Sequence, residues 1–251
     1  MKKLFLRTIP MLLCAVMLFS SCSKLPEFAY KDGAFVNEKT GISYLPAGDN
    51  YEAIALQSDK EVARIIQKGM DDIVMYPISG IDSEKMLTNE LYEVFYAEGT
   101  KLPTLWEMDP EQMHICRTVT LTYSLATVTS AAELEELIDI YRNGKGFSEN
   151  EIDVGLDKER YDLKFQSSAY EGIYYCLIYW EFEDEVLVYE VIEDFDDFEI
   201  TYPDAEVTTE EYKGEKYAVY HFGTSLIYDR TTKTCYPVGD LLSKYLQDDA
   251  A

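Results

Sequence analysis

The sequence predicts an α+β domain, a mostly antiparallel β-sheet with a few short helices concentrated in the N-terminal half. Strand-like runs outnumber helical runs along the 251 residues. Most helical spacing of apolar residues occurs before Arg142, whereas the chain from Tyr161 onward consists largely of short runs rich in aromatic and β-branched residues.

The first elements form a predicted three-stranded meander between Phe28 and Pro46. Asp32-Gly33 is a signal for a tight turn, and the longer loop from Asn37 to Gly41 ends in glycine. These two turns divide the segment into three short strands.

Two amphipathic helices are predicted next. The first covers Asp59 to Lys68, where apolar residues recur at helical spacing behind the candidate cap Ser58, and Gly69 ends it. The second covers Ser83 to Tyr96 and follows a predicted strand from Asp72 to Pro77.

The clearest helix is predicted from Ala131 to Tyr141. Ser130 precedes it as a cap, and the glycines after Asn143 end it. The preceding segment, Met113 to Thr129, is rich in threonine, valine and leucine, as strands are. The polar segment from 143 to 160 is either a long loop or a domain boundary.

The rest of the chain is predicted to be a series of strands followed by one short helix. The strands share a high content of aromatic and β-branched residues. They cover Tyr161–Gln166, Gly172–Phe182, Glu185–Ile192, Phe198–Tyr202, Lys216–Phe222, Ser225–Tyr228 and Lys233–Pro237. The helix covers Gly239 to Gln247.

The N-terminus has the layout of an export signal. Lys2, Lys3 and Arg7 precede an apolar run from Ile9 to Phe19, which small residues follow. A helix needs roughly 20 residues to span a bilayer, and this run is about half that length. A permanent membrane helix is therefore not predicted.

The stretch Leu18-Phe19-Ser20-Ser21-Cys22 resembles the cleavage box of bacterial lipoproteins, in which a small residue precedes a cysteine that is lipidated and becomes the new N-terminus. It departs from the usual pattern at Phe19, where leucine is common. The resemblance implies a signal peptide over residues 1–21 and a diacylglycerol thioether on Cys22, which holds the protein on the extracytoplasmic side of the cell membrane. The alternatives are a secretory signal cut near Ser21 and a short uncleaved anchor.

A short tether of residues 22–27 leads into an acidic α+β domain over residues 28–251. The whole sequence carries 47 acidic and 22 basic residues, a net charge of −25, and removal of the signal makes the chain more negative. No cluster of Lys or Arg occurs outside the signal. Because binding to a phosphate backbone needs such a cluster, nucleic acid is excluded as a partner.

Candidate catalytic groups are few. His114 and His221 are the two histidines, each in a strand-like run, and no Gly-x-Ser-x-Gly nucleophile motif accompanies them. Cys116, Cys176 and Cys235 form an odd set in apolar runs, which favours free thiols over a disulfide. No catalytic residue and no cofactor is predicted, and a non-enzymatic role is favoured.

Metal binding has one candidate in the sequence. Asp194, Asp196 and Asp197 lie in the densest acidic cluster, and carboxylates are ligands for hard cations such as Ca²⁺. The cluster lacks the glycine that the turn of an EF-hand requires. A solvated loop whose Phe195 and Phe198 point inward is favoured over a cation site.

Aromatic residues crowd one predicted hairpin, from Gly172 to Val191. Tyr174, Tyr179 and Trp180 are the candidates for ligand contact, because exposed Tyr and Trp rings are common on binding surfaces. Strand alternation places Tyr179 on one face and the other two rings on the opposite face. Core packing of these rings is favoured over ligand contact, because large aromatic side chains are usually mostly buried.

These observations predict a membrane-anchored, extracytoplasmic binding module with a protein or glycan partner. Two alternatives stay open from the sequence. One is a cell-envelope hydrolase that uses a pair of carboxylates, which the sequence cannot single out among 47 acidic residues. The other is an accessory subunit of a membrane complex.

Overall fold

The computed structural model describes residues 25–57, 60–66, 72–118, 122–153, 157–203 and 205–246. Strands account for 49% of these residues and helices for 11%, so the protein is mostly β. Within the described residues, the strands form a closed barrel of seven strands, a large sheet of eight and a small sheet of four. The signal sequence and Cys22 lie outside the described residues.

The barrel is built from the first part of the chain. The first eight strands are β1 (Glu27–Lys31), β2 (Ala34–Asn37), β3 (Ser43–Pro46), β4 (Tyr51–Ala53), β5 (Ala63–Ile65), β6 (Ile73–Pro77), β7 (Met86–Thr88) and β8 (Val94–Ala97). All but β4 join the barrel in the order β1-β2-β3-β8-β7-β6-β5, and parallel pairing of β1 with β5 closes it. Inward side chains such as Phe28, Phe35, Ile65, Met75 and Phe95 fill the interior.

The predicted three-stranded meander is confirmed as β1, β2 and β3. Asp32 and Gly33 join the first two strands with φ angles of 51° and 84°. Positive φ at both central residues is the requirement of a type I′ hairpin turn, which an Asp-Gly pair meets at little steric cost.

The helix predicted over residues 59–68 is wrong within the part that the structure describes. There, β5 pairs with β6 and places Ala63 and Ile65 inside the barrel, with Arg64 exposed between them. The alternation of buried and exposed residues along a strand therefore outweighs the helical spacing of apolar residues here. Pairing in the barrel buries two apolar side chains that a lone helix would leave half-exposed.

The helix predicted over residues 83–96 is also wrong, because this segment contains the hairpin of β7 and β8. Asn89 starts the connecting turn. Its side-chain oxygen accepts hydrogen bonds from the backbone N–H groups of Leu91 at 2.9 Å and Glu93 at 3.1 Å. Asparagine thus offers the backbone an alternative to helical hydrogen bonds at this position.

The remaining strands form the large and small sheets. They are β9 (Gln112–Thr118), β10 (Thr122–Val128), β11 (Phe147–Ser148), β12 (Ile152–Asp153), β13 (Asp157–Gln166), β14 (Ile173–Phe182), β15 (Val186–Ile192), β16 (Glu206–Tyr212), β17 (Glu215–Phe222), β18 (Ser225–Asp229) and β19 (Thr234–Pro237). The large sheet has the order β10-β9-β13-β14-β18-β19-β11, and β4 pairs with the start of β14. The small sheet has the order β12-β15-β17-β16.

The segment predicted as a loop or a boundary, 143–160, contains short strands that contact both sheets. β11 pairs with β19 of the large sheet, and β12 pairs with β15 of the small sheet. Val188 and Tyr220 of the small sheet share one core cluster with Phe147 and Phe182 of the large sheet. The two sheets are therefore packed against each other through apolar side chains.

The α-helices of the described residues are α1 (Leu105–Met108) and α2 (Ala131–Asn143), both in the middle of the chain and not concentrated in the N-terminal half as predicted. The helix predicted after Ser130 is confirmed as α2. Its Leu134 and Leu137 pack in the core against one face of the large sheet. No helix of the described part of the chain is long and apolar enough to cross a membrane.

The C-terminal part of the chain departs from the prediction in three places. Residues 198–202 are not a strand, and β16 is a strand that the pattern misses because its residues are polar and mostly exposed. Antiparallel pairing with β17 holds this edge strand in place. The predicted C-terminal helix is reduced, within the described residues, to a single 3₁₀ turn at Ser243–Tyr245.

A buried polar network joins α2 to the large sheet. Asp229, at the end of β18, is only 2% exposed. Its carboxylate accepts hydrogen bonds from Tyr141 Oη at 2.7 Å, Asn50 Nδ2 at 2.9 Å and the Thr231 backbone N–H at 2.8 Å. Asn50 also donates to Tyr175 Oη at 3.2 Å, and the Tyr175 hydroxyl lies 2.8 Å from that of Tyr141. The Tyr141 hydroxyl donates its one proton to Asp229, so it accepts a hydrogen bond from the Tyr175 hydroxyl. Each polar group of the network therefore has a hydrogen-bond partner.

We expect Asp229→Ala to lower the free energy of unfolding by about 3 kcal/mol or more, because it leaves the buried Tyr141 and Asn50 donors without an acceptor. Asp184→Asn, on an exposed turn, should change it by less than about 0.5 kcal/mol. Urea denaturation followed by circular dichroism measures both variants. Equal stability of the wild type and Asp229→Ala would show that the network does not stabilise the fold.

Candidate functional site

The three rings predicted to contact a ligand lie on the two faces of β14, as alternation predicts. Tyr179 is 0% exposed and packs in the core that α2 covers. Tyr174 and Trp180 are half-buried and lie on the opposite face, called here the outer face of the large sheet. Ligand contact by these residues stays a prediction.

Charged side chains on the outer face pair with one another. Lys164 is mostly buried and donates to Glu52 Oε1 at 2.5 Å. Asp162, two residues earlier on the same strand, forms an ion pair with Arg230. A ligand that used any of these charges would first have to break an existing contact.

The rings of the outer face are also in contact with neighbouring side chains. The Arg160 guanidinium lies 4.0 Å from the centroid of the Trp180 ring, a cation–π contact. The His114 ring lies edge-to-face with Tyr174, with centroids 5.9 Å apart. His114 also has Thr127 Oγ1 at 3.1 Å from Nδ1. These contacts pair the Tyr174 and Trp180 rings with neighbouring side chains, whereas the buried Trp180 Nε1 has no hydrogen-bond partner among the described residues.

The three cysteines are free and buried, as predicted. Burial raises the pKa of the Cys235 thiol to about 12, and it also raises the pKa values of Cys116 and Cys176. All three are therefore neutral thiols near pH 7. Because the thiolate is the reactive form, none of them is activated as a nucleophile or as a metal ligand.

The acidic loop predicted as a metal candidate is exposed. Asp194 accepts a hydrogen bond from Lys216 at 3.3 Å, and this contact lowers the pKa of its carboxyl group. Asp196 and Asp197 are exposed. Among the described residues, no group of three or more His, Cys, Asp or Glu side chains is placed to hold a metal ion. Cation binding by this loop stays a prediction.

A cleft of about 420 Å³ lies where the end of α2 meets the small sheet and β19. We call it the aromatic cleft. Its walls are mostly apolar and include two tyrosines, with a few polar groups among them. The lining side chains include Ile140, Lys145, Tyr202, His221, Phe222 and Tyr236. A concave apolar surface with a few polar groups is typical of ligand-binding sites.

Tyr202 forms one wall of the aromatic cleft. Its ring lies edge-to-face with Tyr220 and Phe222, at centroid distances of 4.9 and 5.4 Å. Burial raises the pKa of Tyr202 to about 12, and the charges of Glu151 and Glu190 add to the increase. The hydroxyl of Tyr202 has no hydrogen-bond partner among the described residues, so it is available to a ligand.

Tyr236, on β19, forms a second wall. Its ring lies edge-to-face with Tyr141 of α2 at 5.2 Å, which connects this wall to the buried network. Gly146 lets the chain after α2 pass close to β19. A Cβ atom at Gly146 would lie 2.4 Å from Thr234 Cγ2 and 2.9 Å from Tyr236 Cε1, too close for any other residue without a shift of this wall.

Two basic side chains line the cleft and differ in how they are held. Lys145 Nζ lies 5.0 Å from the centroid of the Tyr202 ring and forms no ion pair with a described carboxylate. His221 is held at both ring nitrogens, with Nδ1 3.1 Å from Glu185 and Nε2 2.8 Å from Thr208 Oγ1. The Lys145 side chain can therefore move when a ligand binds, whereas the His221 ring is held in place.

The cleft is lined by residues from four segments that are far apart in the chain: 140–145, 202–205, 221–223 and 236–239. Of its residues, the sequence pattern singles out only His221. The two glycines that flank Lys145 are a signal in the sequence, but a pattern assigns them only to the end of a helix. Nothing in the sequence indicates that these four segments lie close together in the fold.

Comparison with known proteins gave no match. No family model matches this chain, and neither the curated proteins nor the solved structures gave a significant match.

We expect alkaline pH to destabilise the protein partly through Tyr202. Its folded pKa of about 12 exceeds the ordinary value of about 10, so the unfolded chain loses this proton first as pH rises. The stabilising contribution is complete below about pH 10 and falls between about pH 10 and 12. Urea titrations at pH 8 and pH 11 should show a smaller loss of stability for Tyr202→Phe than for the wild type. Equal losses in the two proteins would contradict this assignment.

Proposed function

We propose that the protein is a non-catalytic binding module, anchored through lipid on Cys22 on the extracytoplasmic side of the cell membrane, and that its ligand binds in the aromatic cleft. The cleft is the observation that carries the proposal. Its volume of about 420 Å³ lies within the range of roughly 300–1,000 Å³ that is common for ligand pockets. The Tyr202 hydroxyl adds a polar group that no other described side chain uses as a hydrogen-bond partner.

The pairing of charges favours the cleft over the outer face as the ligand site. On the outer face, a ligand must compete with the Lys164–Glu52 and Asp162–Arg230 ion pairs. In the cleft, a ligand meets apolar walls and a lysine whose Nζ lies over the Tyr202 ring and forms no ion pair among the described residues. Binding in the cleft therefore requires less loss of existing contacts.

Several contacts favour binding over catalysis. The buried thiols are neutral near pH 7, because burial raises their pKa values. His221 lines the cleft, but Glu185 and Thr208 already occupy both of its ring nitrogens. A histidine that acts as a general base needs a free nitrogen within reach of its substrate.

The proposed anchor would keep the module close to the bilayer. The first barrel strand begins at Glu27, and the five residues after Cys22 span at most roughly 18 Å when extended. A ligand reached from this position is a component of the envelope or of its immediate surroundings. A protein or a glycan partner meets this condition.

We expect a ligand found in a thermal-shift screen of residues 23–251 against short peptides and oligosaccharides to depend on Tyr202. A ligand at 100 times its Kd stabilises the fold by about 2.7 kcal/mol, which a shift in Tm reveals. Tyr202→Leu should weaken binding by about tenfold or more, because it removes the ring of one wall. Tyr202→Phe should have a smaller effect, since it removes only the hydroxyl group.

The matched control is Tyr212→Leu, which changes a tyrosine that is 57% exposed and lies outside the cleft. This control should leave affinity unchanged. The cleft is the wrong site if Tyr202→Leu retains full affinity while substitutions of Tyr174 or Trp180 abolish it. Turnover of an oligosaccharide by the wild type would instead favour a hydrolase.

We expect Cys22→Ser to release the protein from the membrane fraction, because serine cannot form the thioether to diacylglycerol. Fractionation followed by intact-mass measurement tests this directly, since the wild type should carry the mass of the lipid on a chain that begins at residue 22. Ser23→Ala is the control and should stay on the membrane. Membrane retention of Cys22→Ser would favour an uncleaved anchor instead.

A further inference from the structure

We infer that the ligand of the aromatic cleft is cationic, specifically a segment of a protein partner that presents a lysine or arginine side chain. This inference rests on the proposed function and names the chemistry of its ligand. It follows from the charge of the chain, from the contact between Lys145 and Tyr202, and from the composition of the walls.

The charge of the chain favours a basic partner. The sequence carries 47 acidic and 22 basic residues, a net charge of −25. Near the cleft, Glu185 contacts His221, and Glu151 and Glu190 act on the Tyr202 hydroxyl. A negative surface attracts a basic segment from solution and repels an acidic one.

The contact of Lys145 shows that the cleft accepts an ammonium group. Its Nζ lies 5.0 Å from the centroid of the Tyr202 ring, which is within cation–π range. Lys145 is exposed and forms no ion pair with the described carboxylates, so this contact is what holds its end. A ligand ammonium or guanidinium group would take the same place on the ring. Lys145 therefore acts as an internal competitor of the ligand.

The walls fit the stem of a basic side chain better than a sugar. Pro203, Pro237 and Phe222 line the cleft and offer apolar surface to the methylene groups of lysine or arginine. Among the residues that line the described cleft, none has a carboxylate or carboxamide side chain. Sugars present many hydroxyl groups, and burying those groups without hydrogen-bond partners is unfavourable. A lysine or arginine side chain can instead bury its methylene stem and keep its charged end in water. A protein segment is thus the favoured ligand.

The test compares Lys145→Gln with Lys213→Gln in the purified full chain in a neutral detergent. Lys213 Nζ lies 4.7 Å from the Tyr212 ring on an exposed turn, so the control removes the same charge and the same type of contact outside the cleft. The probe is a fluorescent pentapeptide, Gly-Lys-Gly-Lys-Gly with blocked ends, and anisotropy measures its Kd at a fixed concentration of salt.

We expect Lys145→Gln to tighten binding of the lysine peptide by about threefold to tenfold relative to Lys213→Gln, because it removes the competitor from the Tyr202 ring. Tyr202→Leu should weaken binding of the same peptide. The matching glutamate peptide should not bind to any of these proteins.

Several results would overturn the inference. Weaker or equal binding by Lys145→Gln relative to Lys213→Gln would show that Lys145 does not compete with a cation, and so would failure of the wild type to bind the lysine peptide. Binding of the glutamate peptide or of a neutral oligosaccharide, lost in Tyr202→Leu, would overturn the cationic ligand and leave the cleft as the binding site. Failure of the wild type to bind the lysine peptide, the glutamate peptide and the oligosaccharide alike would overturn the proposed function as well.

Discussion

The carboxylate of Asp229 joins parts of the chain that are distant in the sequence. It accepts hydrogen bonds from Asn50, next to β4, and from Tyr141, on the last turns of α2. Tyr141 also packs on Tyr236 of β19, and the chain that leaves α2 continues into Lys145. The network therefore determines where α2 ends relative to β19. Two features of the aromatic cleft, the Tyr236 wall and the lysine, depend on that position.

A buried polar network of this kind imposes geometry more strictly than apolar packing does. An apolar side chain can shift and keep most of its contact, whereas a displaced donor loses its hydrogen bond and stays desolvated. Each group of the network has a partner, so one arrangement of α2 is favoured over its neighbours. This restriction gives the cleft fixed walls, and fixed walls lower the entropy that ligand binding must overcome.

Much of the β structure could be predicted from the sequence, because turn residues such as Asp32-Gly33 and aromatic runs such as β14 act locally. The helix proposed at 59–68 failed because strands from other parts of the chain bury Ala63 in the barrel. The helix proposed at 83–96 failed because the side chain of Asn89 forms a local hairpin turn. The cleft could not be predicted, because Lys145 and Tyr202 come into contact only when the two sheets pack. Tyr174 and Trp180 were placed on the correct face, but the ion pairs that cover that face depend on register and not on composition.

The internal position of Lys145 gives the proposed recognition a source of selectivity. A chain with a net charge of −25 attracts every cation in its surroundings, so charge alone cannot select a partner. Because Lys145 already occupies the Tyr202 ring, a simple cation gains little by displacing it. A basic side chain on a protein segment gains more, since its stem and its neighbours also contact the apolar walls. The competitor lowers the affinity for every cation by the same free energy, so only a ligand that gains further contacts with the walls binds well.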